Sequence, residues 1–235
     1  MLITSVQNNL IKQIVKLHQK KYRDEQGLFV VEGYHLYEEA RKMGNIKYVF
    51  TSDQSIVGED VIYVSLIVLE KLAQTKHPQG VLTVCHKLSA REVKGHVLLL
   101  DRVQDPGNVG TLMRSALAFG FQTIVLEQSV DVYNDKVLRS TQGAIFKLNI
   151  IEQNILDFMT EHNEYTYYGT SMNGTKLQSL TIDGNIGLIL GNEGAGVSEE
   201  ILSLTTKNIT IPMQETESLN VSVAGSIIMY YCSIQ

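Results

Sequence analysis

The chain has few cysteines, few prolines and no long apolar run, and each shortage removes a class of protein. Its two cysteines, Cys85 and Cys232, form no metal-ligand spacing with each other or with the six histidines, so we expect reduced, inert thiols and no metal site. Three prolines and an apolar content of 44% argue against a disordered or low-complexity chain. No stretch reaches the length of a membrane span and the first residues lack a signal-peptide pattern, which predicts a cytoplasmic protein.

The length and the charge both indicate two domains. A chain of 235 residues is long for one compact domain and comfortable for two. Residues 1–95 hold 13 Lys and Arg against 10 Asp and Glu, whereas residues 96–235 hold 7 against 15. The net charge of −5 therefore conceals a basic first part and an acidic second part. This asymmetry fits a basic contact module joined to a catalytic one.

The basic part opens with a helical pattern from about Val6 to Leu17, whose apolar residues share one stripe. A second face and the following turn carry cations: Lys12, Lys16, Lys20, Lys21 and Arg23. Such a cluster is either an ordinary solvated helix face or a surface for RNA phosphates. Strand and helix signals then alternate as far as Cys85, which predicts a small α/β domain.

The acidic part begins with an apolar strand, His96–Asp101, followed by the turn Asp105-Pro-Gly and a predicted helix from about Val109 to Phe119. Asn108 is placed to cap that helix. Arg114 is a cation among mostly apolar neighbours, as a snorkelling surface arginine would also be. Further strand and helix signals alternate beyond this helix, which predicts a mainly parallel sheet whose ligands bind beyond the carboxyl ends of its strands.

Two more polar blocks lie near predicted strand ends. Gly191-Asn-Glu-Gly-Ala-Gly196 is a glycine-rich bend that matches neither a phosphate-binding loop nor a dinucleotide fingerprint. Its carboxylate, Glu193, is either a surface group in a turn or part of a site. The last block runs from Ile211-Pro-Met through Ser218-Leu-Asn-Val into an apolar terminal helix.

Together the three blocks resemble those of the SpoU (TrmH-type) branch of the SPOUT RNA methyltransferases. The resemblance implies an α/β domain with a deep trefoil knot, S-adenosylmethionine as cofactor, no required metal, and methyl transfer to a ribose 2′-hydroxyl by a homodimer. The residues at the family's catalytic positions are Arg114, Asn108, Glu193, Ser218 and Asn220. Those at its cofactor-binding positions are Thr170, Leu190, Gly191, Asn192, Gly194, Ile211, Met213 and Leu219. The chain departs from the family in the loop Gln214–Glu217, which is one residue short and lacks glycine.

The first part is similar to the ribosomal-protein-like substrate-binding domain that often precedes this catalytic domain. The match lies in Phe29-Val-Val-Glu-Gly33 and in Lys76-His-Pro-Gln-Gly80. We therefore expect an RNA-binding domain over residues 1–88, a linker over 89–95 and the methyltransferase domain over 96–235. Glu32 is interpreted as a structural carboxylate, because an acidic group facing phosphates would weaken binding.

The resemblance favours ribosomal RNA as the substrate, with transfer RNA second. Two other functions stay open at this point. One is a SPOUT enzyme that modifies a base rather than a ribose. The other is a catalytically silent RNA-binding protein, such as a ribosome-assembly factor, which would bind no S-adenosylmethionine.

Overall fold

The computed structural model describes residues 2–216 and 218–235, and the chain forms two compact units. The first unit comprises the chain up to Leu88 together with Asp131–Phe146. The second comprises Ser89–Val130 and Lys147–Gln235. Glu217, part of the departing loop, lies outside the described residues.

The elements alternate between strand and helix along most of the chain. The first part contains β1 (Leu2–Ile3), α1 (Asn9–Lys16), α2 (Lys20–Gln26), β2 (Leu28–Glu32), α3 (Tyr34–Met43), β3 (Ile46–Thr51), β4 (Val61–Val64), α4 (Leu66–Leu72) and β5 (Val81–His86). The remainder contains β6 (His96–Asp101), α5 (Pro106–Ala118), β7 (Phe121–Glu127), α6 (Asp135–Thr141), β8 (Asn149–Glu152), α7 (Ile155–Glu161), β9 (Thr166–Lys176), β10 (Ile186–Gly191), α8 (Glu199–Leu204), β11 (Lys207–Thr210) and α9 (Val221–Ser233). Short 3₁₀ turns lie at Ala144–Phe146 and Leu177–Ser179.

The first unit is built on a mixed sheet with the strand order β1-β4-β3-β5-β2 among the described residues. β5 runs antiparallel to both β2 and β3, whereas β4 is parallel to β3 and β1. The predicted apolar stripe of α1 packs into the core through Ile11, Ile14 and Leu17, all of them buried. Asn8 caps this helix by accepting a hydrogen bond from the amide of Leu10 at 2.9 Å.

The segment Asp131–Phe146 belongs to the first unit, which differs from the predicted domain limits. The rings of Tyr133 and Phe146 lie 4.7 and 6.1 Å from that of Phe29 on β2. Asp131, only 10% of whose side chain is exposed, also forms an ion pair with the buried Arg23. Because these contacts join positions far apart in the chain, no local pattern in the sequence reveals them.

The predicted linker, residues 89–95, also differs from expectation, because it packs within the second unit. The amide of Arg91 donates to the side-chain oxygen of Asn149 at 2.7 Å, and the Asn149 amide group donates to the carbonyl of Arg91 at 2.9 Å. These two bonds hold the segment along the sheet of that unit, so it is not a free connection.

The second unit is built on a parallel sheet with the strand order β11-β9-β10-β6-β7-β8. Every recorded pairing in this sheet is parallel, which confirms the predicted α/β class. The central strands β6 and β10 are almost continuously apolar, and all their residues except His96 are buried, as expected for strands covered on both faces. Their carboxyl ends, and that of β9, therefore lie at one edge of the sheet, which we call the carboxyl edge.

Both cysteines are buried and unpaired. Burial raises the pKa of the Cys85 thiol to about 12 and that of Cys232 to about 11, so both stay protonated near neutral pH. Within the described residues, no three or more His, Cys, Asp and Glu side chains lie in an arrangement that could hold a metal ion. The helices described in the structure include none with the length and apolarity that crossing a membrane requires.

Candidate active site

Three polar side chains from the three sequence blocks meet at the carboxyl edge of the second unit. Asn108 lies in the first turn of α5, Glu193 in the bend after β10, and Asn220 at the start of α9. The Asn108 Nδ2 group donates to Glu193 Oε1 at 3.1 Å, and Asn220 Nδ2 donates to Asn108 Oδ1 at 2.9 Å. These bonds form one chain, which we call the amide-carboxylate chain.

Asn108 is free for this role because another residue caps α5. The helix begins at Pro106, and the Asp105 side chain accepts from the amide of Asn108 at 2.8 Å. The prediction that Asn108 caps the helix was therefore wrong. An aspartate followed by proline at the first helical position is itself a strong start signal, and it places the helix start three residues earlier.

Glu193 accepts hydrogen bonds from main-chain N–H groups as well as from Asn108. Its Oε1 also accepts from the amide of Asp105 at 3.0 Å, and its Oε2 accepts from the amide of Gln104 at 3.3 Å. Partial burial raises the pKa of Glu193, but hydrogen bonds from Asn108 and these amides outweigh it and hold the pKa below its ordinary value. Glu193 is thus an ionised acceptor near neutral pH that orders the loop before α5.

Asn220 connects the amide-carboxylate chain to the terminal helix, α9. Its Oδ1 accepts from the amide of Ser222 at 2.9 Å, from the Ser222 hydroxyl at 2.7 Å and from the amide of Val223 at 3.3 Å. It therefore caps α9 with one end of its side chain while the other end reaches Asn108. The position of α9 relative to α5 is consequently fixed by polar contacts as well as by packing.

Packing between α5, α9 and β10 depends on small residues. A Cβ added at Gly225 would lie 2.5 Å from side-chain carbons of both Leu112 and Leu190. The hydroxyls of Ser115 and Ser226 are 2.7 Å apart across the two helices. The backbone of α9 thus comes unusually close to the centre of the sheet.

The bend after β10 is held together by hydrogen bonds between its own residues. Asn192 and Gly196 exchange two main-chain hydrogen bonds, at 2.9 and 3.1 Å, and the Asn192 side chain accepts from the amides of Gly194 and Ala195. A Cβ at Gly191 would collide with the backbone of Gly196, so only glycine fits there. Because the Asn192 side chain is used inside the bend and also donates to the carbonyl of Arg102, it is a structural group.

Other predicted cofactor positions lie along the same edge. Thr170 follows the part of β9 that pairs with β10, and its hydroxyl donates to the carbonyl of Ile189 at 3.1 Å. Ile211, Met213 and Leu219 are half-buried in the segment between β11 and α9, whereas the side chain of Leu190 is fully buried. Main-chain groups and partly exposed apolar side chains are therefore what this edge offers to a ligand.

The remaining two predicted catalytic residues stand outside the amide-carboxylate chain. Ser218 is exposed, and its carbonyl accepts from the Thr216 hydroxyl at 3.0 Å. Arg114 is exposed on α5 and makes no hydrogen bond or ion pair with any residue that the structure describes. Sequence reasoning did not place Gln104 and Asp105 in the site; their position beside a strand's carboxyl end is the signal that could have included them.

The lysine cluster of the first unit differs from the predicted set in one member. Lys12, Lys16, Lys20 and Lys21 are exposed, but Arg23 is buried. The Arg23 guanidinium donates to the carbonyls of Leu17 and His18 at 2.8 and 2.9 Å as well as to Asp131. It is therefore a structural group, and we remove it from the candidate RNA-contacting set.

Glu32 has the structural role that the sequence favoured. Its carboxylate accepts from the amide of Gln74 at 2.5 Å and from the Thr75 hydroxyl at 2.6 Å. These bonds tie the end of β2 to the loop that precedes β5.

Comparisons with known proteins match both units. Residues 95–230 match the model of the SpoU rRNA methylase family, and residues 8–83 match that of the MRM3-like substrate binding domain. The chain is 36% identical over 97% of its length to the 23S rRNA (guanosine(2553)-2'-O)-methyltransferase RlmP of Bacillus subtilis, of which it covers 98%. It is 30% identical over 93% of its length to the 23S rRNA (guanosine-2'-O-)-methyltransferase RlmB of Coxiella burnetii, of which it covers 87%. The AdoMet-bound rRNA methyltransferase structure from Sinorhizobium meliloti matches with a TM-score of 0.88 at 27% identity, covering 99% of this chain and 97% of that one.

Proposed function

Since the chain belongs to the SpoU rRNA methylase family, we propose that it transfers a methyl group from S-adenosylmethionine to a ribose 2′-hydroxyl of 23S ribosomal RNA. The observation that carries this proposal is the amide-carboxylate chain, which joins all three family blocks at the carboxyl edge of a parallel sheet. Two relatives that match most of this chain are named as ribose methyltransferases of 23S rRNA.

The carboxyl edge fits an S-adenosylmethionine molecule by the chemistry that it offers. Ile211, Met213 and Leu219 supply half-buried apolar surface there, beside the main-chain donors and acceptors of the glycine-rich bend. When bound, the cofactor supplies an electrophilic methyl group. The chain's own residues then align the ribose and stabilise the charge that develops on its hydroxyl oxygen.

We assign that last role to Arg114. A guanidinium stays protonated, so it does not accept the hydroxyl proton; it stabilises the developing alkoxide while solvent or a phosphate oxygen takes the proton. Its exposure and its lack of a partner among the described residues leave it available for RNA. Asn108, Glu193 and Asn220 act through position, because they hold the start of α5 against the bend and α9.

We also propose that the segment between β11 and α9 forms the family's trefoil knot. Two observations support this. β11 lies at the outer edge of the sheet beside β9, whereas α9 packs against β10 and α5 near its centre. Between these two elements the chain therefore returns from the edge of the sheet to its centre, and Ile211, Met213 and Leu219 lie in this connection.

A homodimer is the third part of the proposal. α9 is apolar on all sides: Ile228, Met229 and Cys232 are buried, while an exposed stripe recurs at intervals of four, three and four residues. That stripe consists of Val223, Ile227, Tyr230 and Ile234. A helix that is apolar all round requires a cover on both faces, and Leu117 of α5 extends the apolar surface. A second copy of this chain would bury the stripe if the two copies packed together through this same surface.

RNA binding by the first unit rests on its exposed lysines. Lys20 and Lys21 face Asp24 and Glu25 at 3.6 and 3.8 Å, which reduces their local charge. Lys12 and Lys16 have no carboxylate partner among the described residues, so they are the stronger candidates for phosphate contacts.

The proposal is tested by methyl transfer from labelled S-adenosylmethionine to 23S rRNA that lacks its modifications, with the methylated ribose then mapped. Arg114→Ala is expected to lower the rate by more than tenfold, which corresponds to about 1.4 kcal/mol of transition-state stabilisation, because the alkoxide loses its cation. Cofactor binding, measured by calorimetry, should stay close to that of the natural protein.

Lys94→Ala, which removes an exposed cation elsewhere in the second unit, is the matched control and should keep full activity. An Arg114→Ala protein that retains more than a tenth of the rate would remove Arg114 from the catalytic role. A natural protein that binds RNA but no cofactor would support a silent assembly factor and overturn the proposed function.

A further inference from the structure

Arg102 has a backbone conformation that few residues other than glycine adopt. It directly follows β6 at the carboxyl edge and has a φ of 57°. Its amide donates to the carbonyl of Glu127 at 2.9 Å, and its own carbonyl accepts from Asn192 Nδ2 at 2.9 Å and from Gln104 Nε2 at 3.3 Å. A strained conformation that several neighbours hold in place at a functional edge points to a role for the side chain.

The Arg102 guanidinium is fixed along one edge. Its Nε and Nη2 atoms donate to the two oxygens of Asp101, at 2.7 and 3.0 Å, and Asp101 is buried and also accepts from the amide of Ser198 at 2.8 Å. The Nη1 atom has no hydrogen-bond partner among the described residues, and 37% of the side chain is exposed. The side chain thus presents an oriented, unpaired pair of N–H donors to solvent.

The surroundings of Arg102 are acidic. Glu127 ends strand β7, and Asp105 and Glu193 lie on connections that follow other strands at this edge. In this part of the chain, carboxylates outnumber cations by 15 to 7. The phosphates of an RNA that approaches the amide-carboxylate chain are therefore repelled by these carboxylates, unless a nearby cation offsets the repulsion. Arg102 is a cation that is held in place at this edge.

We propose that Arg102 is an RNA-binding residue that contacts a phosphate of the substrate RNA beside the target ribose through its free Nη1 edge. This inference rests on the proposed ribose methylation. Asp101 holds the guanidinium, Gln104 and Asn192 hold the backbone, and the phosphate accepts the donors that remain. The competing interpretation is that Arg102 only neutralises buried Asp101.

The experiment compares Arg102→Gln, Arg102→Lys and Arg102→Gly in the full chain. With Arg102→Gln we expect KM for the RNA to rise roughly tenfold, with kcat and cofactor affinity within about twofold of the natural protein, because the substitution removes an interaction that only binds the RNA. The slope of log affinity against log salt should fall by about 0.7 to 0.9. Arg102→Lys should recover part of the RNA affinity.

Arg102→Gly separates the two interpretations. Glycine adopts a positive φ without strain, so an RNA defect that persists in Arg102→Gly comes from the lost guanidinium and not from a disturbed backbone. Lys207→Gln, an equal loss of charge on the edge strand β11, should leave KM and the salt slope unchanged. Natural KM and salt slope in both Arg102→Gln and Arg102→Gly, with thermal stability lowered because buried Asp101 has lost its cation, would overturn the proposal. A natural protein that methylates no RNA would instead refute the proposed function.

Discussion

The side chain of Asn108 shows how much of this site depends on single atoms. Its Nδ2 group donates to Glu193 and its Oδ1 atom accepts from Asn220, so one amide joins the bend after β10 to the start of α9. An aspartate at this position would lose the donor, and a leucine would lose both bonds. The residue was recognisable in the sequence as polar and near a helix start, but its function as a junction depends on two partners more than 80 residues away.

Glu193→Gln tests whether the carboxylate acts by position. A glutamine retains one carbonyl oxygen, but its amide group is a donor facing the amides of Gln104 and Asp105, so at least one hydrogen bond disappears. We expect a loss of about 1 kcal/mol in the free energy of unfolding and a rate lowered by roughly tenfold, with RNA affinity retained. Urea unfolding and methyl-transfer assays measure the two effects.

Glu199→Gln is the matched control for that variant. It removes an exposed carboxylate from the first turn of α8 and should leave the rate unchanged. A Glu193→Gln protein with the natural rate would show that the amide-carboxylate chain is not needed to place the RNA or the cofactor.

At the scale of elements, helices α1 and α2 carry the lysine cluster of the first unit, Lys12, Lys16, Lys20 and Lys21. Replacing Lys12, Lys16, Lys20 and Lys21 together with glutamine should weaken RNA binding and flatten its salt dependence by up to about 0.9 for each phosphate that the variant no longer binds. Filter binding over a range of salt concentrations measures the slope. The contribution of Lys12 and Lys16 should exceed that of Lys20 and Lys21, whose carboxylate partners already offset them.

The control for this set replaces Lys42 and Lys71, which lie on other helices of the same unit. Cofactor affinity should be unaffected in both proteins. If the four-lysine variant keeps the natural slope, the cluster is an ordinary solvated face and the RNA must be bound elsewhere.

Most elements with a strong periodic pattern were predictable from the sequence. The apolar run within β6, the apolar stripe of α1 and the alternation of strands and helices as far as Cys85 are local features, and the structure places them where the pattern does. α2 was missed because its sequence, Lys20–Gln26, is almost entirely polar and has no apolar period. β1 was missed because a pair of residues is too short to show alternation.

The site was predictable only in part. Family blocks indicated Asn108, Glu193 and Asn220, but nothing local shows that they form one hydrogen-bonded chain. Arg23 was assigned to RNA because its neighbours are lysines, and it proved to be buried because its partner, Asp131, comes from a distant segment. Burial of a charged residue by a remote partner leaves no signal in a local pattern.

For the whole molecule, the proposed homodimer is open to a direct test. Ile227→Glu places a carboxylate in the middle of the exposed apolar stripe of α9, and we expect the protein to become a monomer with little activity, because desolvating that charge opposes association. Sedimentation velocity measures the oligomeric state. Leu204→Glu, at an exposed apolar position on α8, should leave the dimer intact.

A dimer that persists in Ile227→Glu would place the subunit contact on another surface. A natural protein that is monomeric at the concentrations at which it is active would refute the homodimer itself.

The insertion of Asp131–Phe146 into the first unit affects the order in which the chain can fold as it is synthesised. When Leu88 has left the ribosome, Phe29 still lacks Tyr133 and Phe146, and the buried guanidinium of Arg23 still lacks its carboxylate. The first unit is completed only after residues 89–130 of the second have emerged. A growing chain usually folds one domain before the next. In this protein, however, the first unit lacks part of its core until residue 146 has been synthesised, so it cannot complete its fold before most of the first half of the second unit has emerged.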